Sequence, residues 1–315
     1  MTRFLSFFAD NGRIVLIVGL LAGVVFPSLA LAMKPWLPVM IAFVLFIAAL
    51  RIGLQPALGG LGDFRLTLAV VLAYQIAIPI VLYSFFSLFG TAGIAATAIV
   101  LMTAASSISG SPNIVLMTGN DPAPALRLLV VGTALLPLTV IPVFTLVPDF
   151  GTVETILLSA GKLLALIVGS AAVAWTIRRL FFSNATGATW RAVDGLSAIG
   201  MAVLVIGLMS AMGPALRSDP WSVFTMLTIT CTINLGLQLF GYTVFGMTGR
   251  AKERVSGAVV CGNRNMALFL AALPAGVMDP LLLFIGCYQV PMYLTPILLG
   301  WLYKSKTASG RLPES

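Results

Sequence analysis

The chain has 315 residues, of which 59% are hydrophobic and only 9% charged, with a mean hydropathy of +1.06; soluble domains carry about 25% charged residues, so no water-soluble core can hide this much apolar surface. The formal net charge of +8 does not point to nucleic acid, because the cations fall in short clusters between apolar runs and form no basic stripe interleaved with aromatics. There is no histidine, and the three cysteines (Cys231, Cys261, Cys287) are scattered through apolar segments, which argues against a histidine-based catalyst, a zinc site or a disulfide framework.

Lipid offers backbone groups no hydrogen-bond partners, so apolar runs of about 20 residues read as helices, and the period-2 alternation of a membrane barrel is absent. The expected fold is an all-α membrane protein. In chain order, Arg3 and Arg13 precede an apolar run that ends in Ser28-Leu29-Ala30-Leu31-Ala32. The run from Ile14 to Met33 is as long as a full span and longer than the roughly 7–15 residues of a signal-peptide core, so it reads as a first helix over 14–32 and not as a cleaved leader. Further helices follow over 37–52, 66–89, 92–119, 123–147, 155–180, 193–213, 220–246, 255–275 and 280–303.

Alternating the loops between two sides puts Arg3, Arg13, Arg51, Arg65, Arg178, Arg179, Arg191, Arg250, Lys252, Arg254, Lys304, Lys306 and Arg311 on one side, and only Lys34, Lys162 and Arg217 on the other. By the positive-inside rule, thirteen against three sets both termini in the cytoplasm, as in a multi-pass protein of the cell inner membrane, and requires an even number of spans. Ten helices divide into halves of five, residues 1–150 and 151–315; five being odd, a duplicated second half enters the membrane upside down, the inverted-repeat plan of many secondary transporters. The best internal match is Asp121-Pro122 with Asp279-Pro280, opening the last helix of each half.

Two expected helices are interrupted. The fourth carries Ser106-Ser107-Ile108-Ser109-Gly110-Ser111-Pro112-Asn113, where Pro112 lacks an N–H and crowds the carbonyl of Ile108. The ninth is interrupted by Cys261-Gly262-Asn263-Arg264-Asn265. Breaks at corresponding positions of two halves point to a midplane binding site whose freed backbone groups face a ligand. Close packing through small residues is the competing reading; it accounts for the serines and glycine but not for Asn263, Arg264 and Asn265 together.

Arg264 lies ten residues beyond Arg254, roughly 15 Å along a helix and near the middle of a roughly 30 Å hydrocarbon core, too deep to snorkel. A guanidinium there costs about 3 kcal/mol even on the lenient insertion scale, so it needs a partner. No acidic residue lies deep in any expected span; Asp121 and Asp279 sit at helix ends. Two partners stay open: an anionic substrate, or backbone carbonyls freed by the break in the fourth helix. Arg127, about one turn inside the fifth helix, either snorkels or reaches the site. Gln75, Asn234 and Gln238 are single amides of the kind that bridge helices.

At these residues the chain resembles the bile acid:sodium symporter family, whose members have ten helices in two inverted halves with crossed, broken helices 4 and 9. The family's Glu-x-Gly-x-Gln-Asn pattern corresponds to Val260-Cys261-Gly262-Asn263-Arg264-Asn265, and its Gly-rich run ending in Ser-Asn to Ser109-Gly110-Ser111-Pro112-Asn113. Gln75 in Gln75-Ile76-Ala77-Ile78-Pro79 is similar to the family's helix 3 glutamine, and Asn234-Leu235-Gly236 with Gly241-Tyr242 to its helix 8 pattern. The two breaks, the deep arginine and these matches together give a candidate substrate site at Arg264, Asn265, Asn263, Asn113, Ser111, Ser109, Arg127 and Gln75, with a small organic anion as partner. The resemblance also implies two sodium ions held by the glutamate, the helix 9 glutamine and hydroxyls at the start of helix 5. Here those positions read Val260, Arg264, Arg127 and Val131. Sodium wants oxygen ligands and negative charge, whereas arginine supplies donors and a permanent positive charge. The expectation is therefore a carrier without cofactor or metal, in which guanidiniums act as tethered cations. The alternatives are a sodium symporter with one degraded site at Gln75, Asn113 and Asn265, or an anion channel. An enzyme has little support, because Ser109 and Ser111 have no base at comparable depth.

Overall fold

Proline and glycine placement decides where this apolar chain turns and how closely its helices approach. A computed structural model describes residues 2–53, 64–91 and 93–304, and among these the secondary structure is helical apart from one isolated bridge. Residue 92, which opens the expected fourth helix, lies outside the described residues, as do Lys306 and Arg311 of the charge argument.

The helices are α1 (Thr2–Asp10), α2 (Gly12–Val25), α3 (Pro27–Ile52), α4 (Phe64–Leu88), α5 (Ile94–Ala104), α6 (Ser111–Met117), α7 (Ala123–Leu146), α8 (Val153–Phe181), α9 (Gly187–Ser218), α10 (Pro220–Met247), α11 (Arg254–Gly262) and α12 (Ala275–Leu298). Seven of them, α3, α4, α7, α8, α9, α10 and α12, are long and apolar enough to cross a membrane, and α1 with α2 forms an apolar pair bent by 87°. The protein is thus a helical, multi-pass membrane protein. Its outward faces agree: Val81 and Leu138 are each 65% exposed, a surface that lipid accepts and water penalises.

The first helix ends earlier than its hydropathy implies. Pro27 pushes the preceding Phe26 out of the helical region (φ −112°, ψ 70°), so α2 stops at Val25, and Pro27 sits in the first turn of α3, where its missing N–H costs nothing. Residues 27–32, expected to complete the first helix, instead open the second. The returning course follows from contacts along α9: on α2, Gly19 meets Ala202 and Gly23 meets Met209, whereas along α3 Pro27 meets Gly213, Leu37 meets Gly207 and Phe43 meets Gly200. Small residues at these crossings let backbones touch, the usual packing device where no hydrophobic effect draws helices together. α1 lies across the start of α9, with the Leu5 carbonyl against Gly195.

Long helices start on side-chain caps. Thr152 accepts from the Thr155 N–H at α8, Thr186 from Thr189 at α9, and Asp219 from Ser222 at α10. The described ion pairs tie neighbouring helices together: Arg51 with Asp194 (2.6 Å), Arg191 with Asp10 (2.8 Å) and Lys34 with Asp279 (3.0 Å). Arg178 donates to the Leu50 carbonyl at 2.6 Å and stacks 4.4 Å from the Trp190 ring, closing the end of α3.

Candidate functional site

Both expected interruptions are present, and they meet. Between α5 and α6 the chain is non-helical over residues 105–110, and between α11 and the 3-10 turn Met266–Ala271 over 263–265. The breaks cross antiparallel, with Ser107 opposite Arg264. The Ile108 N–H donates to the Asn263 carbonyl (3.1 Å), and the Asn265 N–H to the Ser106 carbonyl (2.7 Å). Each broken helix thereby satisfies backbone groups that the other exposes, as a low-dielectric interior demands. Tyr288 adds a clamp: its hydroxyl accepts from the Arg264 N–H at 2.8 Å and donates to the Gly262 carbonyl.

Arg264 fills the crossing. It is 2% exposed, and its guanidinium donates from Nε to the Cys261 carbonyl (3.0 Å), from Nη1 to Ala105 (3.1 Å) and from Nη2 to Tyr74 (3.3 Å). All three acceptors are carbonyls that the local backbone leaves unused. Cys261 is in the last turn of α11 and Ala105 just follows α5. Tyr74 lies in a π-helical stretch, Ala73–Ala77, where the Ile78 N–H bonds back to Ala73; the next such donor would be residue 79, which is proline. Pro79 therefore orphans the Tyr74 oxygen and hands it to the arginine. The Tyr74 ring lies 5.0 Å from the guanidinium carbon. A guanidinium has five N–H donors; three are used here, leaving two, and no carboxylate is among its hydrogen-bond partners.

Arg264 also borders a partly open cavity of about 560 Å³ lined by α3, α4, α7, α8, α9, α12 and the crossing. Its walls are mostly apolar, from residues such as Ile41, Val44, Leu135 and Leu204, with Arg264, Asn265, Ser109, Thr133 and Gln289 among the polar residues of its lining. Among the described residues, neither the Asn265 amide nor the Ser109 hydroxyl has a side-chain hydrogen bond, so both are available to a ligand.

No protein-family model matches the chain, and no curated protein matches it.

Of the eight expected site residues, Arg264, Asn265 and Ser109 line the cavity and five do not. Asn113 is exposed on α6, because two residues beyond the buried Ser111 is about 200° around a helix. Ser111 is turned inward, 2.7 Å from the Ser107 hydroxyl. Arg127 is half-buried near the start of α7, outside the cavity wall. Gln75 bridges helices, donating to the Gly132 carbonyl (3.0 Å) and accepting from Thr139 (2.7 Å). Asn263 faces α10 and α12, its side-chain oxygen accepting from Asn234 and Thr295 (both 3.2 Å). Thr133, Gln289 and Tyr288 escaped the sequence reading: each is a lone polar group in an apolar helix, a signal that ordinary helix-bridging residues share.

This division is measurable. In a Cys231→Ala background, which leaves only the buried Cys261 and Cys287, Ser109→Cys is expected to react with a water-soluble maleimide and Asn263→Cys to stay silent. Equal labelling of both positions would contradict the orientation of the ninth-helix break.

Proposed function

We propose that the chain is a secondary transporter of a small organic anion, a divergent member of the bile acid:sodium symporter family in which Arg264 takes the place of a coupling sodium ion. The carrying observation is a buried guanidinium with no carboxylate partner among the described residues, held by three backbone carbonyls, on a residue that lines a mostly apolar cavity.

A ten-span, inverted-repeat reading has support in the helices. Seven long spans, the bent pair α1–α2 and the two broken segments (α5–α6, and α11 with its 3-10 extension) sum to ten. Each half carries an amide on its third helix bonded to a threonine on its fifth: Gln75 with Thr139, and Gln238 with Thr295 at 3.1 Å. Each fifth helix also holds two internal prolines five apart, Pro137 and Pro142 in α7, Pro291 and Pro296 in α12. The basic ends of the spans then face the cytoplasm.

The substrate class follows from the cavity. Its volume of about 560 Å³ suits a small molecule. The apolar walls fit a hydrophobic body, and the guanidinium, the Asn265 amide and the Ser109 hydroxyl fit one carboxylate or sulfonate head. An anion about 4 Å from the guanidinium gains about 4 kcal/mol at an effective dielectric near 20. A sodium ion about 5 Å away meets about 3 kcal/mol of repulsion, and the carbonyl oxygens that would ligate it are already engaged.

Uptake of labelled taurocholate and 2-naphthoate into proteoliposomes is expected to saturate and to run equally in sodium, potassium and choline buffers. Several-fold stimulation by a sodium gradient would overturn the tethered-cation reading; no uptake of either anion, with no thermal shift on their addition, would overturn the transport reading itself.

A further inference from the structure

We infer that α1 is an interfacial anchor: it lies in the plane of the membrane at the basic end of the helix bundle, with Phe4 and Phe7 sunk into the boundary between lipid headgroups and acyl chains. The inference rests on the helical membrane fold and not on the transport reading, and the partner is the bilayer itself.

Three observations carry it. The first is direction. α2 runs beside α9 across the bundle, with Gly12 against Ala198, Gly19 against Ala202 and Gly23 against Met209, while α1 is bent from α2 by 87°. A helix at a right angle to a span runs along the membrane surface. Local chemistry makes the corner: Asn11 leaves the helical region (φ −111°, ψ 22°), and its side-chain amide donates to the Phe7 carbonyl at 2.9 Å, closing the end of α1.

The second is level. The Leu5 carbonyl rests against Gly195, and Asp10 pairs with Arg191 (2.8 Å). Asp194, the neighbour of Gly195, pairs with Arg51 in the last turn of α3. α1 therefore crosses α9 where the spans carry their arginines and where Trp190 precedes Arg191; basic residues and tryptophan together mark a membrane–water interface.

The third is surface chemistry. Phe4 and Phe7 are 64% and 61% exposed, and Phe8 packs edge-on against both, with ring centroids 4.9 and 5.7 Å apart. Just past the corner, Ile14, Ile17, Val18 and Leu21 follow at helical spacing as an exposed apolar face of α2, the surface that lipid covers on a span. Ser6 and Asp10, four residues apart, give α1 a polar side. A short helix with exposed aromatic rings, a polar side and a perpendicular approach is the form that lies in a bilayer interface, where the rings leave water and the polar side keeps it. Because α9 also lines the cavity through Met201, Leu204 and Leu208, the anchor ties one cavity wall to the membrane surface.

Depth-dependent quenching tests the placement. In the Cys231→Ala background, Phe7→Cys, Leu21→Cys and Lys252→Cys are each labelled with the fluorophore NBD and reconstituted into phosphatidylcholine–phosphatidylglycerol vesicles. The quenchers are lipid spin-labelled at the fifth or the twelfth acyl carbon, and iodide present on both sides of the membrane. The label at position 7 is expected to be quenched at least about twofold more strongly from the fifth carbon than from the twelfth, as a helix about 5–10 Å into the boundary requires. It is also expected to be shielded from iodide relative to Lys252→Cys, which sits exposed in the turn between α10 and α11. Leu21→Cys, on the span, is expected to favour the twelfth carbon, and Phe4→Cys to repeat the result at position 7. Iodide quenching equal to that at position 252, without quenching by lipid, would put α1 in water and overturn the anchor. Stronger quenching from the twelfth carbon would make α1 part of the span, and shielding from lipid and iodide alike would give the patch to a protein partner such as a second copy of the chain; either result also overturns it.

Discussion

Replacing Arg264 by methionine is expected to weaken anion binding by about a hundredfold or more and to lower the melting temperature of the purified protein as well. The affinity loss follows from removing one partner of a buried charge pair, which costs roughly 2–5 kcal/mol. The stability loss is separate. Methionine fills part of the volume but donates nothing, so the carbonyls of Tyr74, Ala105 and Cys261 lose their partner, at about 1–3 kcal/mol for each oxygen left unpaired. Arg264→Lys separates the two effects. It keeps the charge, but a single ammonium cannot reproduce a planar fork reaching three carbonyls, so the variant is expected to hold more of the anion affinity than of the stability. Thermal shift with and without taurocholate reads both quantities. If Arg264→Met melts earlier yet binds the anion unchanged, the guanidinium is only a pin for the crossing helices, and the substrate-anchor role falls.

Gly262→Ala is expected to be strongly destabilising. Gly262 ends α11 where the ninth-helix break begins, and a Cβ there would overlap the backbone oxygen of Asn234 and Cγ of Gln238. Neither can retreat cheaply. The Asn234 amide donates to the Gly262 carbonyl at 2.7 Å, and Gln238 is held by Asn234 (2.7 Å), Thr295 (3.1 Å) and Tyr303 (3.1 Å). Overpacking of this kind costs about 1–3 kcal/mol, and displacing the Asn234 contact adds to it. The variant is expected to melt well below the parent, with taurocholate uptake reduced because the break shifts relative to Arg264. Gly236→Ala, where an added Cβ meets nothing within 4 Å, is the matched control and is expected to be close to neutral. Equal stability of the two variants would show that α10 does not pack against the crossing as described.

Much of this architecture is written in local chemistry. The low charge content and the long apolar runs made a helical membrane protein unavoidable, since lipid leaves backbone groups no other way to pair. Pro112 and the polar run around it marked one break, and Asn263-Arg264-Asn265 marked the other, because both patterns are incompatible with an uninterrupted apolar span. Depth along the chain also singled out Arg264, whose cost in lipid required a partner whatever the fold. The early turn at Phe26–Pro27 was readable in principle from the proline; hydropathy, which does not distinguish a helix from its reversal, hid it.

What tertiary structure alone decided is which groups meet. The two candidate partners of Arg264 were an anion and freed carbonyls, and it takes the carbonyls of Tyr74, Ala105 and Cys261 while still bordering the cavity. The Tyr74 oxygen is available only because a π-helical stretch aligns it with the missing N–H of Pro79, a detail of backbone register that composition does not carry. Likewise Asn263 and Asn265, two residues apart in sequence, part company at the crossing, one joining the polar bridge to α10 and α12, the other facing the cavity. Residue type sets what a side chain can pair with. Its direction is set by the extended backbone of two breaks hydrogen-bonded to each other across 157 positions of sequence, Ser107 to Arg264, and that pairing exists only once the chain has folded.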